Sequence, residues 1–179
     1  IILSCIRLSV MGALAWEEHI KHKKSNYTSS HNILPLVSII VPAFNEEVNA
    51  VASLQNLLNQ NYPNFNIIFV DDGSKDKTFE KVKSVFENHP TIKIFTKPNG
   101  GKASALNYGI MQTDAEFVVC IDADTKLKPD AISQLMKHFQ SEKKRSKKIG
   151  AVAGNVKVGN EVNILTRWQA IEYISSQNF

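Results

Sequence analysis

A chain of 179 residues, 43% hydrophobic and 21% charged, has the composition of a globular fold with a core of its own. Its net charge of +4 gathers largely at residues 19–24 and 143–148; this suits anionic small molecules or an anionic membrane surface and gives no basis for a nucleic-acid partner. The two cysteines, Cys5 and Cys120, fall in an N-terminal apolar segment and an expected buried strand, so no disulfide is expected, a reducing compartment fits, and no Cys/His cluster has zinc spacing.

Residues 1–16 are mostly apolar, but they are fewer than the roughly 20 needed to cross a bilayer and are interrupted by Arg7. Trp16, His19, Lys21, His22, Lys23 and Lys24 follow, an interfacial aromatic and then cations, as at the cytoplasmic end of a membrane helix. We expect 1–18 to be the C-terminal part of a transmembrane helix, 19–35 a basic juxtamembrane linker, and the domain beyond to lie on the cytoplasmic face of the plasma membrane. An amphipathic helix, a core helix or a signal-peptide remnant is the other reading of the same residues. The chain begins with Ile1 and stops at Phe179 inside an expected helix, so a longer protein is expected.

From Pro35 the apolar pattern alternates between strand and helix periods. A continuous β-branched run over 36–41 predicts a buried strand. Asn45 is placed to cap a helix with Glu46 and Glu47 in its first turn and Val48, Val51, Ala52, Leu54, Leu57 and Leu58 on its apolar face, stopped by Pro63. A second strand is expected over 66–70, a helix marked by Phe79, Val82, Val85 and Phe86, a third strand over 91–96 and a helix over 103–111. A fourth strand over 116–121 leads to a helix after Pro129 with Ile132, Leu135, Met136 and Phe139 inward. A fifth strand over 149–158 and a helix over 163–179 complete the pattern. Strands alternating with helices of this length imply a mostly parallel α/β sheet, in which ligands bind beyond the carboxyl ends of the strands.

The chemistry-bearing residues lie at those ends. Asp122-Ala123-Asp124 puts carboxylates at alternate positions, so in extended backbone they face one side; this suits Mg²⁺ or Mn²⁺ with room left for phosphate, and equally a turn of solvated aspartates. Asp71-Asp72-Gly73-Ser74 offers carboxylates to a nucleobase or ribose, or forms a tight turn with a helix cap at Ser74 or Asp76. Pro98-Asn99-Gly100-Gly101-Lys102 brings backbone N–H groups and Lys102 before a helix, where phosphate can be met; it has neither Walker A spacing nor the dinucleotide glycine fingerprint. The basic run 143–148 reads as a solvated loop.

In order along the chain, Val37-Ser38-Ile39-Ile40-Val41-Pro42-Ala43-Phe44-Asn45-Glu46-Glu47, Val70-Asp71-Asp72-Gly73-Ser74, Asn99-Gly100-Gly101-Lys102-Ala103-Ser104-Ala105-Leu106-Asn107 and Asp122-Ala123-Asp124 resemble the family 2 glycosyltransferases, inverting enzymes of GT-A (Rossmann-like) fold. Residues 99–107 and Ala151-Val152-Ala153-Gly154-Asn155-Val156 look most like the processive membrane synthases of the poly-β-1,6-N-acetylglucosamine, chitin and hyaluronan type. The resemblance implies an incomplete GT-A domain over 36–179 that binds a UDP-sugar, with UDP-N-acetylglucosamine favoured, and a polysaccharide or lipid-linked acceptor. It places Pro42, Ala43 and Glu46 in the nucleotide pocket, Asp71 and Asp72 at the uridine, Lys102 near the diphosphate and Asp122 at the ribose or metal. Asp124 would ligate Mg²⁺ or Mn²⁺, and Gly154 and Asn155 would border the acceptor side.

Two departures qualify the resemblance. The family's general base, an acidic residue in a Glu-Asp or Thr-Glu-Asp motif, is absent and expected C-terminal to Phe179, so the chain by itself should bind donor better than it turns over. The processive Gln-x-x-Arg-Trp motif is also absent, because Arg167-Trp168 follows Ile164 rather than Gln. A non-processive lipid-phosphate or cell-wall transferase and a non-catalytic nucleotide-sugar-binding domain are the alternatives. A nucleotidyltransferase would carry a glycine-rich loop where Pro42–Glu47 stands.

Overall fold

The computed structural model describes residues 34–140 and 149–155. Residues 33–153 make one compact unit, which Gly154 and Asn155 lie outside. The expected membrane segment, most of the linker, the basic run 143–148 and the last helix lie outside the described residues, and among those described no helix is long and apolar enough to cross a membrane.

Among the described residues, four parallel strands, β1 (Val37–Ala43), β2 (Phe65–Asp71), β3 (Ile92–Thr96) and β4 (Phe117–Cys120), form one sheet in the order β3-β2-β1-β4. Helices α1 (Ala50–Leu57), α2 (Thr78–Phe86), α3 (Lys102–Ile110) and α4 (Ala131–Gln140) connect or follow them. The strand order steps outward from β1 to β2 to β3, then returns through α3 to place β4 on the other side of β1. Order therefore reverses at β1, and an open parallel sheet forms its ligand crevice at such a reversal, beyond the strand carboxyl ends.

The core explains the strand pattern. β1 is buried along its whole length because both of its faces are covered. Val37, Ile39, Val41 and Ala43 join Leu54 and Leu57 of α1, Val82 and Phe86 of α2, and Ile132 and Met136 of α4 on one face. Ile40, Ile68 and Val70 meet Ala105 of α3 on the other. A strand covered on both faces loses alternation and reads as a continuous apolar run. Ser38, the polar exception, is fully buried and hydrogen-bonds Asn66 Oδ1 and Thr113 Oγ1, each at 2.7 Å. Leu34 packs on the core, and the Pro35 carbonyl accepts the Tyr62 hydroxyl at 2.7 Å.

Several expectations need correction. Asn45 does not cap α1: it sits in the left-handed region at φ 57°, with its side chain accepting the Lys75 N–H at 2.8 Å, and the helix starts only at Ala50. Glu46–Asn49 forms a turn first, closed by the Asn49 N–H on the Glu46 carbonyl at 3.1 Å, and Asn49 stands at the N-cap. Val48 and Val85, placed on apolar faces by their spacing, are exposed, and the buried stripe of α1 runs through Ala50, Ser53, Leu54 and Leu57 instead. Among the described residues β4 pairs only with β1 and alternates between half-buried and exposed positions, and Cys120 is exposed rather than buried. Residues 149–155 carry no strand, and a strand needs a neighbour to pair its backbone groups; none of the pairings described reaches them.

Gly109 sets how closely α3 approaches the sheet. A Cβ there would lie 2.6 Å from Ile40 Cγ2 and 3.2 Å from Val70 Cγ2. Gly109→Ala should therefore lower stability: overpacking of about 1–3 kcal/mol outweighs the roughly 1 kcal/mol that alanine adds to helix propensity. A urea midpoint below that of the unsubstituted chain is the expected readout, and an unchanged or raised midpoint would show that α3 has room to shift.

Candidate functional site

The crevice predicted by the strand reversal is present as a cleft of about 380 Å³. Pro42, Ala43, Phe44 and Glu46 line it from the end of β1, Asp122, Ala123 and Asp124 from the end of β4, and Asn99, Gly101, Lys102 and Ala105 from the loop and first turn of α3. Asp72, just past β2, completes the lining.

Backbone packing aims the β4 carboxylates. Ala123 is only 4% exposed and belongs to the core cluster, whereas Asp122 and Asp124 on either side of it are exposed and line the cleft. The Thr125 N–H closes this turn on the Asp122 carbonyl at 3.0 Å. Asp122 Oδ1 receives Lys102 Nζ at 2.5 Å, while the Thr125 hydroxyl lies 3.4 Å from Asp124 Oδ1. Among the described residues no group of three or more His, Cys, Asp or Glu side chains is gathered as for a metal ion.

Asp72 organises the glycine loop. It is 2% exposed, and its carboxylate accepts the Gly101 N–H at 2.7 Å, the Gly100 N–H at 3.1 Å and the Lys97 ammonium. Its carbonyl accepts Asn99 Nδ2 at 2.9 Å. Burial opposes ionisation of this carboxyl, but the Lys97 hydrogen bond, the Gly100 and Gly101 N–H donors and the Lys97 charge outweigh it, so it titrates below the usual aspartate value. The consequence corrects a sequence expectation: the Gly100 and Gly101 N–H groups point at an internal carboxylate, and of the groups expected to meet phosphate at this loop only the Lys102 side chain faces the cleft. Gly101, at φ 83°, meets nothing where a Cβ would stand, so its backbone angle alone asks for glycine.

Asp71 does not line the cleft. It lies behind it, 2% exposed, with Oδ2 accepting the Thr96 hydroxyl at 2.9 Å and Oδ1 buried without a partner. Gly154 and Asn155 are exposed and outside the compact unit.

The β1 loop is held from outside by the β2 loop. Ser74 Oγ accepts the Asn45 N–H at 2.9 Å, Thr78 Oγ1 the Glu46 N–H at 2.8 Å and Asp76 Oδ2 the Glu47 N–H at 3.2 Å. The expected cap at Ser74 or Asp76 is corrected: Lys77 stands at the N-cap of α2, Asp76 Oδ1 takes the Thr78 N–H at 3.0 Å, and Ser74 serves the neighbouring loop, whose bonds hold the Glu46 backbone at the cleft. Sequence reasoning passed over Lys97, Asn99 and Phe44. Lys97 and Asn99 gave a signal only as part of a loop flanked by lysines at both ends, and Phe44, 43% exposed, only as an aromatic just past a buried strand.

A parallel α/β sheet with its cleft at the point of strand reversal belongs to the open, doubly wound α/β class, whose ligands lie beyond the strand carboxyl ends. The glycosyl transferase family 2 model matches residues 38–173, and the chain belongs to that family. It is 37% identical over 147 residues to poly-β-1,6-N-acetyl-D-glucosamine synthase of Staphylococcus epidermidis, a match covering 82% of this chain and 35% of the relative. The same enzyme of Staphylococcus aureus is 37% identical over 139 residues, covering 78% and 33%. The chain thus spans about a third of the length of these curated relatives. A mannosyltransferase of Pyrobaculum calidifontis, solved with GDP-Man and Mn²⁺, superposes with a TM-score of 0.55 at 27% identity, covering 71% of this chain and 39% of that one. TarS of Staphylococcus aureus, solved with UDP-GlcNAc, superposes with a TM-score of 0.53 at 25% identity, covering 70% and 38%. These likenesses agree with the expected GT-A architecture.

Asp72→Asn should cost about 1–3 kcal/mol near neutral pH, because two N–H groups and an ammonium lose an ionised acceptor. The depressed carboxyl contributes stability that is present above the ordinary aspartate value of about 3.9 and is lost as pH falls through its lower folded-state value. Urea unfolding along a pH series should therefore show the two proteins converging in acid; a constant gap would mean the ionised form is not what holds the loop.

Proposed function

We propose that this chain carries the donor half of an inverting glycosyltransferase that moves N-acetylglucosamine from UDP-N-acetylglucosamine onto a growing polysaccharide. The observation that carries this reading is the cleft, where the ends of β1 and β4 and the start of α3 bring Pro42, Ala43, Glu46, Asp72, Lys102, Asp122 and Asp124 together. The names of the synthase relatives and the UDP-GlcNAc bound to TarS support the choice of sugar and product.

Pro42, Ala43 and Glu46 line the nucleoside side, and Asp72 backs it. Lys102 meets the diphosphate. Asp124 and Asp122 hold Mg²⁺ or Mn²⁺. The donor set fits such an ion: both side chains offer hard oxygen atoms on one wall of the cleft, and Asp122 already draws a cation, Lys102. Two carboxylates leave positions for diphosphate oxygens and water, as small hard cations prefer. When bound, the ion supplies charge neutralisation for the departing diphosphate.

An acceptor hydroxyl attacks the anomeric carbon from the face opposite the diphosphate, which inverts that carbon. Its proton passes to an acidic base outside the cleft. Gly154 and Asn155 belong to the acceptor side. The domain works at the cytoplasmic face of the plasma membrane, beside the polysaccharide or lipid-linked acceptor.

Calorimetric titration of UDP and UDP-N-acetylglucosamine, with and without Mn²⁺, tests the site. Metal-dependent binding is expected, weakened by at least about tenfold in Asp124→Ala, the scale on which metal sites respond to lost supporting groups. A folded chain that binds neither nucleotide would overturn the reading.

A further inference from the structure

We propose that Lys102 is an exchangeable counter-cation: in the donor-free protein it occupies Asp122 in place of the divalent ion, and it transfers to the diphosphate when ion and donor bind together. This rests on the donor-site reading above.

The cleft carboxylates differ in what already holds them. Asp72 is saturated by Lys97, Gly100 and Gly101. Glu46 accepts Asn49 Nδ2 at 3.2 Å, and Asp124 has the Thr125 hydroxyl at 3.4 Å. Asp122 alone among them is paired with a long flexible cation facing the cleft, Lys102 Nζ at 2.5 Å. That pair is solvated, its side chains 62% and 53% exposed, and solvated ion pairs are weak and readily exchanged.

Position adds a bias. Lys102 is the first residue of α3, where the aligned peptide dipoles favour an anion and disfavour an ammonium. Lys102 is comfortable there only with an anion in reach. A divalent ion cannot share Asp122 Oδ1 with an ammonium at this distance, because the like charges repel. Metal arriving alone must therefore displace Lys102 into solvent beside the helix dipole. Metal arriving with a diphosphate gives the displaced ammonium a new anionic partner. Lys102 thus makes metal and nucleotide binding positively coupled, and the coupling is reciprocal by linkage.

Free Mn²⁺, followed by electron paramagnetic resonance with and without UDP and corrected for the Mn²⁺–UDP complex in solution, reads this coupling directly. On the whole chain UDP should tighten Mn²⁺ binding by about tenfold, an ordinary coupling factor. Lys102→Gln, checked for fold by circular dichroism, should bind Mn²⁺ alone about threefold more tightly than the unsubstituted chain, the scale of a solvated ion pair, and lose a similar share of the UDP enhancement, the remainder coming from direct contact of ion and diphosphate. Lys102→Arg, which keeps the charge, should keep the coupling. If the unsubstituted chain binds Mn²⁺ and UDP but Lys102→Gln neither tightens Mn²⁺ alone nor loses coupling, the exchange is wrong and the donor site stands. If the unsubstituted chain binds neither, the donor-site reading fails and the exchange falls with it.

Discussion

Asp72 is the point on which the site depends. A carboxylate 2% exposed at the end of β2 must be satisfied, and it reaches across to the Lys97–Gly101 loop to be so. That reach shapes the loop, fixes where α3 begins and so decides where Lys102 stands. Gly73 is part of the same constraint: it has φ 69°, and a Cβ on it would lie 2.8 Å from the Asn99 backbone nitrogen, so the turn after β2 and the glycine loop touch backbone to backbone. A residue that looks like a ligand contact in sequence is first an internal anion around which the loop is folded.

Topology then turns local constraints into a site. β1 pairs with β2 through Ala43↔Asp71 but with β4 only as far as Ile40↔Cys120. The chain leaving β4 is thus released beside the last residues of β1, and Asp122–Asp124 come to stand against Pro42 and Ala43. α3 starts on the opposite face from α1 and α2, and its first turn roofs the gap. The three segments are far apart in sequence; the reversal at β1 brings them together.

What could be read from the sequence follows from which signals are local. β1 and β2 were legible because double-sided burial writes an uninterrupted apolar run, and α3 because Gly100 and Gly101 mark the loop before it. The alternation of Asp122, Ala123 and Asp124 was legible as well, since burying the middle residue exposes the outer two. The start of α1 was misread because Asn45 and Glu46 look like a cap and a first helical turn. Their partners, Ser74 and Thr78, lie in the next loop and at the start of α2, and sequence spacing carries no trace of that distance. Cys120 was misplaced for a related reason: the apolar run of β4 does not say that its positions alternate between half-buried and exposed.

The two lysines that flank the glycines show how one charge type serves two ends. Lys97 is 14% exposed against an Asp72 side chain at 3%, and removing one partner of so enclosed a pair leaves the other as an uncompensated charge. Lys102 and Asp122 are more than half exposed, so water stands ready to replace either partner. The first pair is therefore architecture that ligands do not disturb, and the second is a contact that ligands can take over. Placing both on one short loop fastens an exchangeable cation to an immovable support, which is what a site must do if it is to bind a highly charged diphosphate without rebuilding itself around it.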